Sequence, residues 1–198
     1  LFICSIFLSG LLKFGIQTLA GLVLLSVLVS LTVSYYVYDL ANLYQLDWIE
    51  SNNQELKILN INAGFDETTE LLRLKFKNSE VLSYDFYDPD RHTEISIKRA
   101  RKAYPPSSDV VRFQTSNIDL KDNSIDKVFL ILSAHEVRSD TEKIIFLKSL
   151  KRLLKSSGEI VVVEHLRDVP NFLAYNIGAF HFFSRSTWLN VFKQSKLS

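Results

Sequence analysis

The sequence contains no methionine and a single cysteine, Cys4. One cysteine excludes any disulfide within the chain, which fits a reducing compartment. Because methionine is absent even at position 1, we expect the chain to be a fragment or a processed product. Neither positive nor negative charge predominates in the chain. The net charge of +1 gives no reason to expect nucleic acid as a partner.

Charge is absent altogether from Phe14 to Tyr38. As a helix this stretch would be roughly 37 Å long, and the hydrocarbon core of a bilayer is about 30 Å thick. Three tyrosines near its end are typical of a membrane boundary. We therefore predict that residues 1–38 are membrane-associated and helical; a signal peptide and a buried core helix are the alternatives. Residues 1–12 would end an earlier span, with Lys13 at a tight turn.

The position of the charged residues bears on orientation and on the segment that follows. Lys13 alone would place its own side of the span in the cytoplasm. A two-helix hairpin removes that constraint, and we expect a membrane-associated protein whose soluble domain is cytoplasmic. Residues 39–55 are predicted to be a linker and lid, in which the aromatic-rich stretch Tyr35–Trp48 would lie over the ligand cleft.

Strands and helices alternate from residue 56 onward. The predicted strands are Lys57–Ile61, Glu80–Asp85, Val110–Gln114, Asp126–Leu132 and Glu159–Glu164, and the predicted helices are Asp66–Phe76, Asp90–Ala103, Ser139–Lys155 and Ser184–Lys193. Such alternation implies parallel pairing with right-handed crossovers. We predict an α/β fold with a doubly wound, mainly parallel sheet of order 3-2-1-4-5, lacking the C-terminal strands. Ligands of such sheets bind beyond the carboxyl ends of the strands.

The passage from Gln114 to His165 carries a resemblance to a known family. NIDLKDNSIDKVFLILSAHEV and LKSLKRLLKSSGEIVVVEH are similar to the fourth-strand and fifth-strand regions of class I S-adenosylmethionine-dependent methyltransferases. The resemblance covers residues 56–192, and we assign residues 56–198 to a methyltransferase-like domain. It implies S-adenosyl-L-methionine as the cofactor and methyl transfer as the activity.

The family's glycine-rich loop is degenerate in this chain. Where the family has acid-x-Gly-x-Gly-x-Gly, the sequence runs from Asn60 to Asp66 and matches only at Gly64. Asparagine and aspartate tolerate positive φ better than other residues with side chains, so the loop remains compatible with a bound cofactor.

The resemblance places the cofactor at the ends of four strands. Asp85 matches the acid that accepts the ribose hydroxyls, and Gln114 stands where an acid often binds adenine. The predicted cofactor-binding residues are Asn60, Asn62, Ala63, Gly64, Asp85, Phe86, Gln114, Thr115 and Ser133.

Two His/Glu pairs follow the fourth and fifth strands. His135 and His165 are the candidate catalytic bases, and strand-end capping is the alternative for each. Both pairs also suggest a metal site, but their spacing matches no ordinary ligand pattern. The predicted acceptor-binding residues are Glu136, Arg167, Asn171, Tyr175 and His181.

The activity predicted is methyl transfer to a small-molecule acceptor, such as a lipid or a quinone. A non-catalytic Rossmann-like module on a membrane anchor is the first alternative. A nicotinamide-dependent oxidoreductase is disfavoured, since Asp66 would repel a pyrophosphate at the helix start. The basic run Lys98, Arg99, Arg101 and Lys102 is predicted to form a solvated helix face, with anionic headgroups as the alternative partner.

Overall fold

A computed structural model of the chain describes residues 10–51, 54–91 and 95–197. The helices are α1 (Gly10–Tyr35), α2 (Thr69–Lys75), α3 (Ile95–Ala103), α4 (Asp140–Leu153), α5 (Val169–Tyr175) and α6 (Arg185–Gln194). The strands are β1 (Lys57–Asn62), β2 (Glu80–Asp85), β3 (Val111–Arg112), β4 (Ile125–Ile131) and β5 (Leu154–Val163). Short helical turns lie at Tyr36–Leu40, Leu43–Gln45, Ala134–Glu136 and Asn176–His181.

The chain forms two compact units. The anchor unit contains the residues up to Leu43 together with Arg167–Phe182. The sheet unit contains Tyr44–Leu166 and the residues from Phe183 onward.

In the anchor unit, α1 is one continuous helix whose side chains are mostly exposed. By length and composition it is able to cross a membrane, and Ala20 is its one buried residue. Lys13 lies inside this helix, so the predicted tight turn at Lys13 is wrong. Lys is a good helix former, and the helix continues through Lys13 and Gly15. The predicted earlier span falls largely on residues 1–9, outside the described residues.

The sheet unit is built on the predicted parallel sheet. The described residues form five strands in the order β3-β2-β1-β4-β5, and every pairing is parallel. Consecutive residues of the central strands face opposite sides: Val128 packs into one core cluster and Phe129 into the other. Leu46 and Ile49 are buried in the second cluster, so the chain preceding β1 covers that side of the sheet.

Several element boundaries differ from the predictions for local reasons. The helix predicted from Asp66 begins at Thr69, because the Asp66 carboxylate accepts the amides of Thr68 and Thr69 at 3.2 and 2.9 Å. β3 has only two residues. β5 begins early, at Leu154, with a register shift before Glu159. Residues 92–94 of the predicted helix 90–103 lie outside the described residues.

The C-terminal end agrees with the prediction of missing strands. Ser184 accepts the Thr187 amide at 3.1 Å and caps α6. Among the residues that the structure describes, no sixth or seventh strand follows β5, which therefore lies at one edge of the sheet.

Removing the cap of α4 should destabilise the sheet unit modestly. Ser139 Oγ accepts the Glu142 amide at 3.4 Å, so Ser139→Ala should lower the free energy of unfolding by about 1 kcal/mol. Ser149→Ala on the same helix is the control, because its hydroxyl only donates to the Ile145 carbonyl and its loss should cost less than about 0.5 kcal/mol. Chemical denaturation followed by fluorescence measures both, and equal losses would exclude the capping role.

Candidate cofactor site at the carboxyl ends of the strands

The loop after β1 needs the freedom of glycine at only one position. Gly64 has φ +105°, whereas Asn62 and Asp66 are not among the described residues with positive φ. The loop therefore does not depend on the tolerance of asparagine and aspartate for positive φ at positions 62 and 66. Instead, Asn62 Oδ1 accepts the Gly64 amide at 3.4 Å, which tightens the turn.

Two of the predicted cofactor residues hold the loop from within the protein. Asn60 is fully buried, and its amide donates to the hydroxyls of Thr68 and Thr69 at 2.9 and 2.8 Å. Ser133 donates to the Ile61 carbonyl at 2.8 Å, which ties the end of β4 to β1. Both side chains are thus partnered inside the fold.

Asp66 fixes the other end of the loop. Besides capping α2, its carboxylate accepts the Ser83 hydroxyl at 2.6 Å. A negative charge at a helix start is electrostatically favourable. It also occupies the amides that a pyrophosphate would need, which argues against a dinucleotide at this loop.

Asp85 lies at the end of β2, where the resemblance requires it, but it has a partner that was not predicted. Its carboxylate is almost fully buried and lies 2.7 Å from Arg101 Nη1. The same nitrogen donates to the Gly64 carbonyl at 2.8 Å. The prediction that Arg101 belongs to a solvated basic face is wrong, because only Lys98, Arg99 and Lys102 of that run are exposed. For the Arg101 guanidinium, the ion pair with the buried carboxylate replaces the interaction with water.

The face of the Gly64 loop is covered by side chains. A Cβ at Gly64 would lie 2.6 Å from Tyr87 Cδ2 and 3.0 Å from Ile97 Cγ2. The Arg101 guanidinium stacks on the Tyr87 ring, 4.4 Å from its centroid. The backbone therefore approaches its neighbours as closely as only glycine permits, and Tyr87 and Arg101 together cover the loop.

A cavity of about 590 Å³ opens beside this cover. Phe86, Gln114 and Thr115 line it, so three of the predicted cofactor residues meet there. Glu142 also lines it, accepts the Thr115 hydroxyl at 2.6 Å and binds Arg91 through both oxygens. The pocket combines an aromatic ring with amide and carboxylate acceptors, a set that suits an adenine ring and its amino group.

His135 is held between two carboxylates. Its Nδ1 lies 2.6 Å from Glu164, and its Nε2 lies 3.3 Å from Glu136. Burial lowers the pKa of His135, but the hydrogen bonds to Glu136 and Glu164 outweigh burial and raise the pKa to about 9. The imidazole is therefore protonated at neutral pH. In that state it is a cation and a hydrogen-bond donor, and it cannot act as a base.

A smaller cavity connects this histidine to the loop. It has a volume of about 120 Å³, and Ala63, Ser133 and His135 line it together with Tyr44. The Tyr44 hydroxyl donates to Glu67 at 2.7 Å. The aromatic segment predicted to form a lid thus places one tyrosine at this end of the site.

The remaining predicted acceptor residues belong to the anchor unit. Asn171 donates its backbone and side-chain N–H groups to Asp168 at 3.0 and 2.8 Å, and the Tyr175 hydroxyl meets that of Tyr38 at 3.0 Å. His181 contacts the Phe182 ring edge-on, and Arg167 is exposed. His165, in the sheet unit, is partly buried directly after Glu164.

Sequence reasoning missed the charged partners of the site. Arg101 was assigned to a basic helix face and Glu142 to a predicted helix, and Glu164 was considered only as half of a His/Glu pair with His165. A signal was present for Glu164, since it follows β5 as Glu136 follows β4. For Arg101 the sequence offered no signal that separates it from the adjacent basic residues.

Comparison with known proteins gives one family. Residues 59–162, just over half of the chain, match the model of the methyltransferase domain family. A highly reducing polyketide synthase from Aspergillus carbonarius is 25% identical over 131 residues, which cover 57% of this chain and 5% of that protein. The chain thus spans a small part of that relative's length.

Solved structures show the same fold. The YcgJ protein from Bacillus subtilis superposes with a TM-score of 0.52 at 16% identity, covering 80% of this chain and 68% of that one. An S-adenosylmethionine-dependent methyltransferase from Leishmania major gives a TM-score of 0.50 at 14% identity, covering 82% and 63%. At such identities the likeness shows the fold alone.

The family match spans β1 to β5, the region that contains the loop, Asp85 and His135. Both the resemblance seen in the sequence and the predicted enzyme class are confirmed, and the predicted cofactor, S-adenosylmethionine, is the one on which class I methyltransferases depend. The chain belongs to the methyltransferase domain family.

Proposed function

We propose that this protein is an S-adenosylmethionine-dependent methyltransferase, held at a membrane by α1, that methylates an apolar small molecule such as a lipid or a quinone. The observation that carries the catalytic part is the methyltransferase sheet with a buried acid at the end of β2 beside a cavity of about 590 Å³. The membrane part rests on the exposed apolar surface of α1.

The residue types present fit the cofactor once Arg101 and Tyr87 are displaced from Asp85 and Gly64. Phe86, Gln114 and Thr115 would hold the adenine in the large cavity, and Asp85 would accept the ribose hydroxyls. Asn62, Ala63 and Gly64 would hold the remainder. When bound, S-adenosylmethionine supplies an activated methyl group, and the protein has to orient the acceptor in line with it.

His135 would act on the acceptor as a donor. Because its pKa is raised to about 9, it would bind an acceptor oxygen or an anionic group at neutral pH. Glu164 orients the ring through the hydrogen bond at Nδ1. His165, Glu136 and the anchor-unit residues Arg167, Asn171, Tyr175 and His181 remain proposed acceptor contacts.

One observation favours a non-catalytic Rossmann-like module instead. Asp85 is bonded to Arg101, and Tyr87 covers Gly64, so a cofactor has to displace both side chains. Titration calorimetry of the detergent-solubilised full chain with S-adenosylmethionine, S-adenosylhomocysteine and NAD separates the possibilities. We expect binding of the first two only; binding of none supports the non-catalytic module.

Methyl transfer itself is tested with labelled cofactor. Full chain in vesicles of total lipid extract, given S-adenosylmethionine with a radiolabelled methyl, should transfer label into the organic phase. Label that stays in the aqueous phase, with cofactor binding intact, would rule out an apolar acceptor. We place the sheet unit on the cytoplasmic side, where the cofactor is made.

A chain truncated to begin at Tyr44 should be more soluble than the full chain. The truncation removes α1, on which Leu22, Leu25 and Leu28 are each more than half exposed, a surface that water solvates poorly. The measurement is phase partitioning with and without detergent. Ser26→Ala in the full chain is the control and should remain in the membrane fraction. A full chain that partitions into water without detergent would contradict the anchor.

A further inference from the structure

The segment after β5 contains an uncharged stretch whose exposed apolar side chains have no role in the proposed catalysis. Between Asp168 and Arg185 the sequence has no Asp, Glu, Lys or Arg. This stretch forms α5 and the helical turn Asn176–His181. It is too short to cross a bilayer, which takes about 20 residues, and short apolar segments of this kind occur as re-entrant or interfacial elements.

The segment exposes four large apolar side chains, two on α5 and two on the turn after it, which we call the apolar stripe. Val169, Leu173, Ile177 and Phe180 recur every three or four residues, and they are 72%, 59%, 84% and 61% exposed. The Phe172 and Phe180 rings pack edge to face, 4.9 Å apart, so the helix and the turn are held together. Several exposed large apolar side chains in a stretch without charges are typical of an interaction surface.

The segment also packs on α1 through polar contacts. Ser26 donates to Asn176 Oδ1 at 3.0 Å, and the hydroxyls of Tyr38 and Tyr175 lie 3.0 Å apart. Ser26, Ser30 and Ser34 are partly covered on a helix whose other residues are mostly exposed. Small residues and side-chain hydrogen bonds are what join helices inside membranes.

The position of Ser26 along α1 indicates how deep the segment would lie in a bilayer. Ser26 precedes Tyr35 by nine residues, or about 14 Å along the helix axis, so in a spanning α1 it lies near the centre of a hydrocarbon core about 30 Å thick. The Asn176 side chain reaches the same level, and Tyr175 meets Tyr38 toward the tyrosine-rich end. The segment therefore extends from the boundary toward the middle of the bilayer.

We infer that residues 169–181 form a second membrane element, a half-depth insert that docks on α1 and turns its apolar stripe toward lipid acyl chains. The inference rests on the membrane anchoring in the proposed function. The bilayer is the partner of the stripe, because α1, which belongs to the same unit, exposes leucine and valine along most of its length. Helical hydrogen bonds of the segment, such as Phe172 N to Asp168 O at 3.0 Å, satisfy part of its backbone within the segment, as a membrane environment favours.

The test is depth-dependent quenching of single labels in the full chain. In a Cys4→Ser background, Ile177→Cys reports on the insert, Leu25→Cys on α1 and Leu74→Cys on the sheet unit. The last two are the matched references, because all three side chains are more than half exposed and tolerate a label. Each variant is labelled with an environment-sensitive fluorophore and reconstituted into phosphatidylcholine vesicles with nitroxide on the acyl chains.

Labels at positions 177 and 25 should lose fluorescence by roughly twofold or more, as expected for groups inside the hydrocarbon core, and the label at position 74 should not. Quenching at 25 without quenching at 177 would overturn the insert and leave the anchor standing. No quenching at 25 would overturn the anchor, and with it this inference. Equal quenching at all three positions would show aggregation on the vesicles and overturn the assigned depths.

Discussion

Asp85→Ala is expected to weaken the binding of S-adenosylmethionine by roughly 1.5–3 kcal/mol, because a buried ribose would lose a charged hydrogen-bond acceptor. That loss corresponds to about ten- to a hundredfold in Kd. Calorimetry on the detergent-solubilised full chain measures it. Asp122→Ala is the control, since Asp122 is an exposed acid paired with Arg152 on the surface. Unchanged affinity in Asp85→Ala would remove Asp85 from the site.

The ion pair between Asp85 and Arg101 leads to a second prediction about cofactor binding. Arg101 occupies the carboxylate oxygen Oδ2, and Tyr87 N–H occupies Oδ1 at 2.8 Å. A ribose that replaces the guanidinium has to break a buried charge pair, so Arg101→Ala should tighten cofactor binding. Arg99→Ala, an exposed change on the same helix, should leave it unchanged. If Arg101→Ala instead weakens binding, Arg101 positions the carboxylate and does not compete for it.

The fold was predictable because its signals are local. β2 has the predicted bounds, Glu80–Asp85, since its apolar residues lie between an acidic residue at each end. Ser139 and Ser184 mark helix starts by their chemistry, and both cap a helix in the structure. Where a boundary depends on a side chain that reaches across a loop, as at Asp66, the sequence placed the helix too early. The prediction of a turn at Lys13 was wrong because a single charged residue does not interrupt a helix.

The candidate site was predictable only in part. Strand ends are read from the sequence, so Asp85, Gln114 and His135 were found. The charged partners of these residues were not found, because they are distant in sequence. Arg101 lies 16 residues from Asp85, and Glu164 lies 29 residues from His135. Periodicity also assigns Glu142 to a helix start, where its side chain would reach back to Ser139. Tertiary contacts with Thr115 and Arg91 direct it into the cavity instead.

The buried pair of His135 and Glu164 should make stability depend on pH. Its side chains are 11% and 4% exposed, and the pKa of His135 is raised from 6.5 to about 9. The folded state therefore binds an extra proton between pH 6.5 and 9. Stability from this group is fully present below pH 6.5 and is lost as the pH rises through 9. The shift corresponds to a change on the order of 3 kcal/mol across that window.

Glu164→Gln should remove much of this dependence. The amide keeps a hydrogen-bonding group next to Nδ1 but not the charge, so a protonated His135 would keep only Glu136 as a counter-charge in a buried site. Breaking a buried ion pair by changing one partner costs about 3–5 kcal/mol, and we expect the loss to be largest near pH 6 and to shrink toward pH 9. Denaturation followed by the fluorescence of Trp48 and Trp188 measures it, since both tryptophans lie in the sheet unit.

Glu159→Gln is the matched control, because Glu159 lies on β5 and pairs with Lys127 at the surface. Its stability should fall by less than about 1 kcal/mol at any pH, with the slope of the parent chain. If Glu164→Gln keeps that slope as well, the pair does not hold the proton on His135. In the parent chain, where protonated His135 acts as a donor, the rate of methyl transfer should fall as the pH rises through about 9.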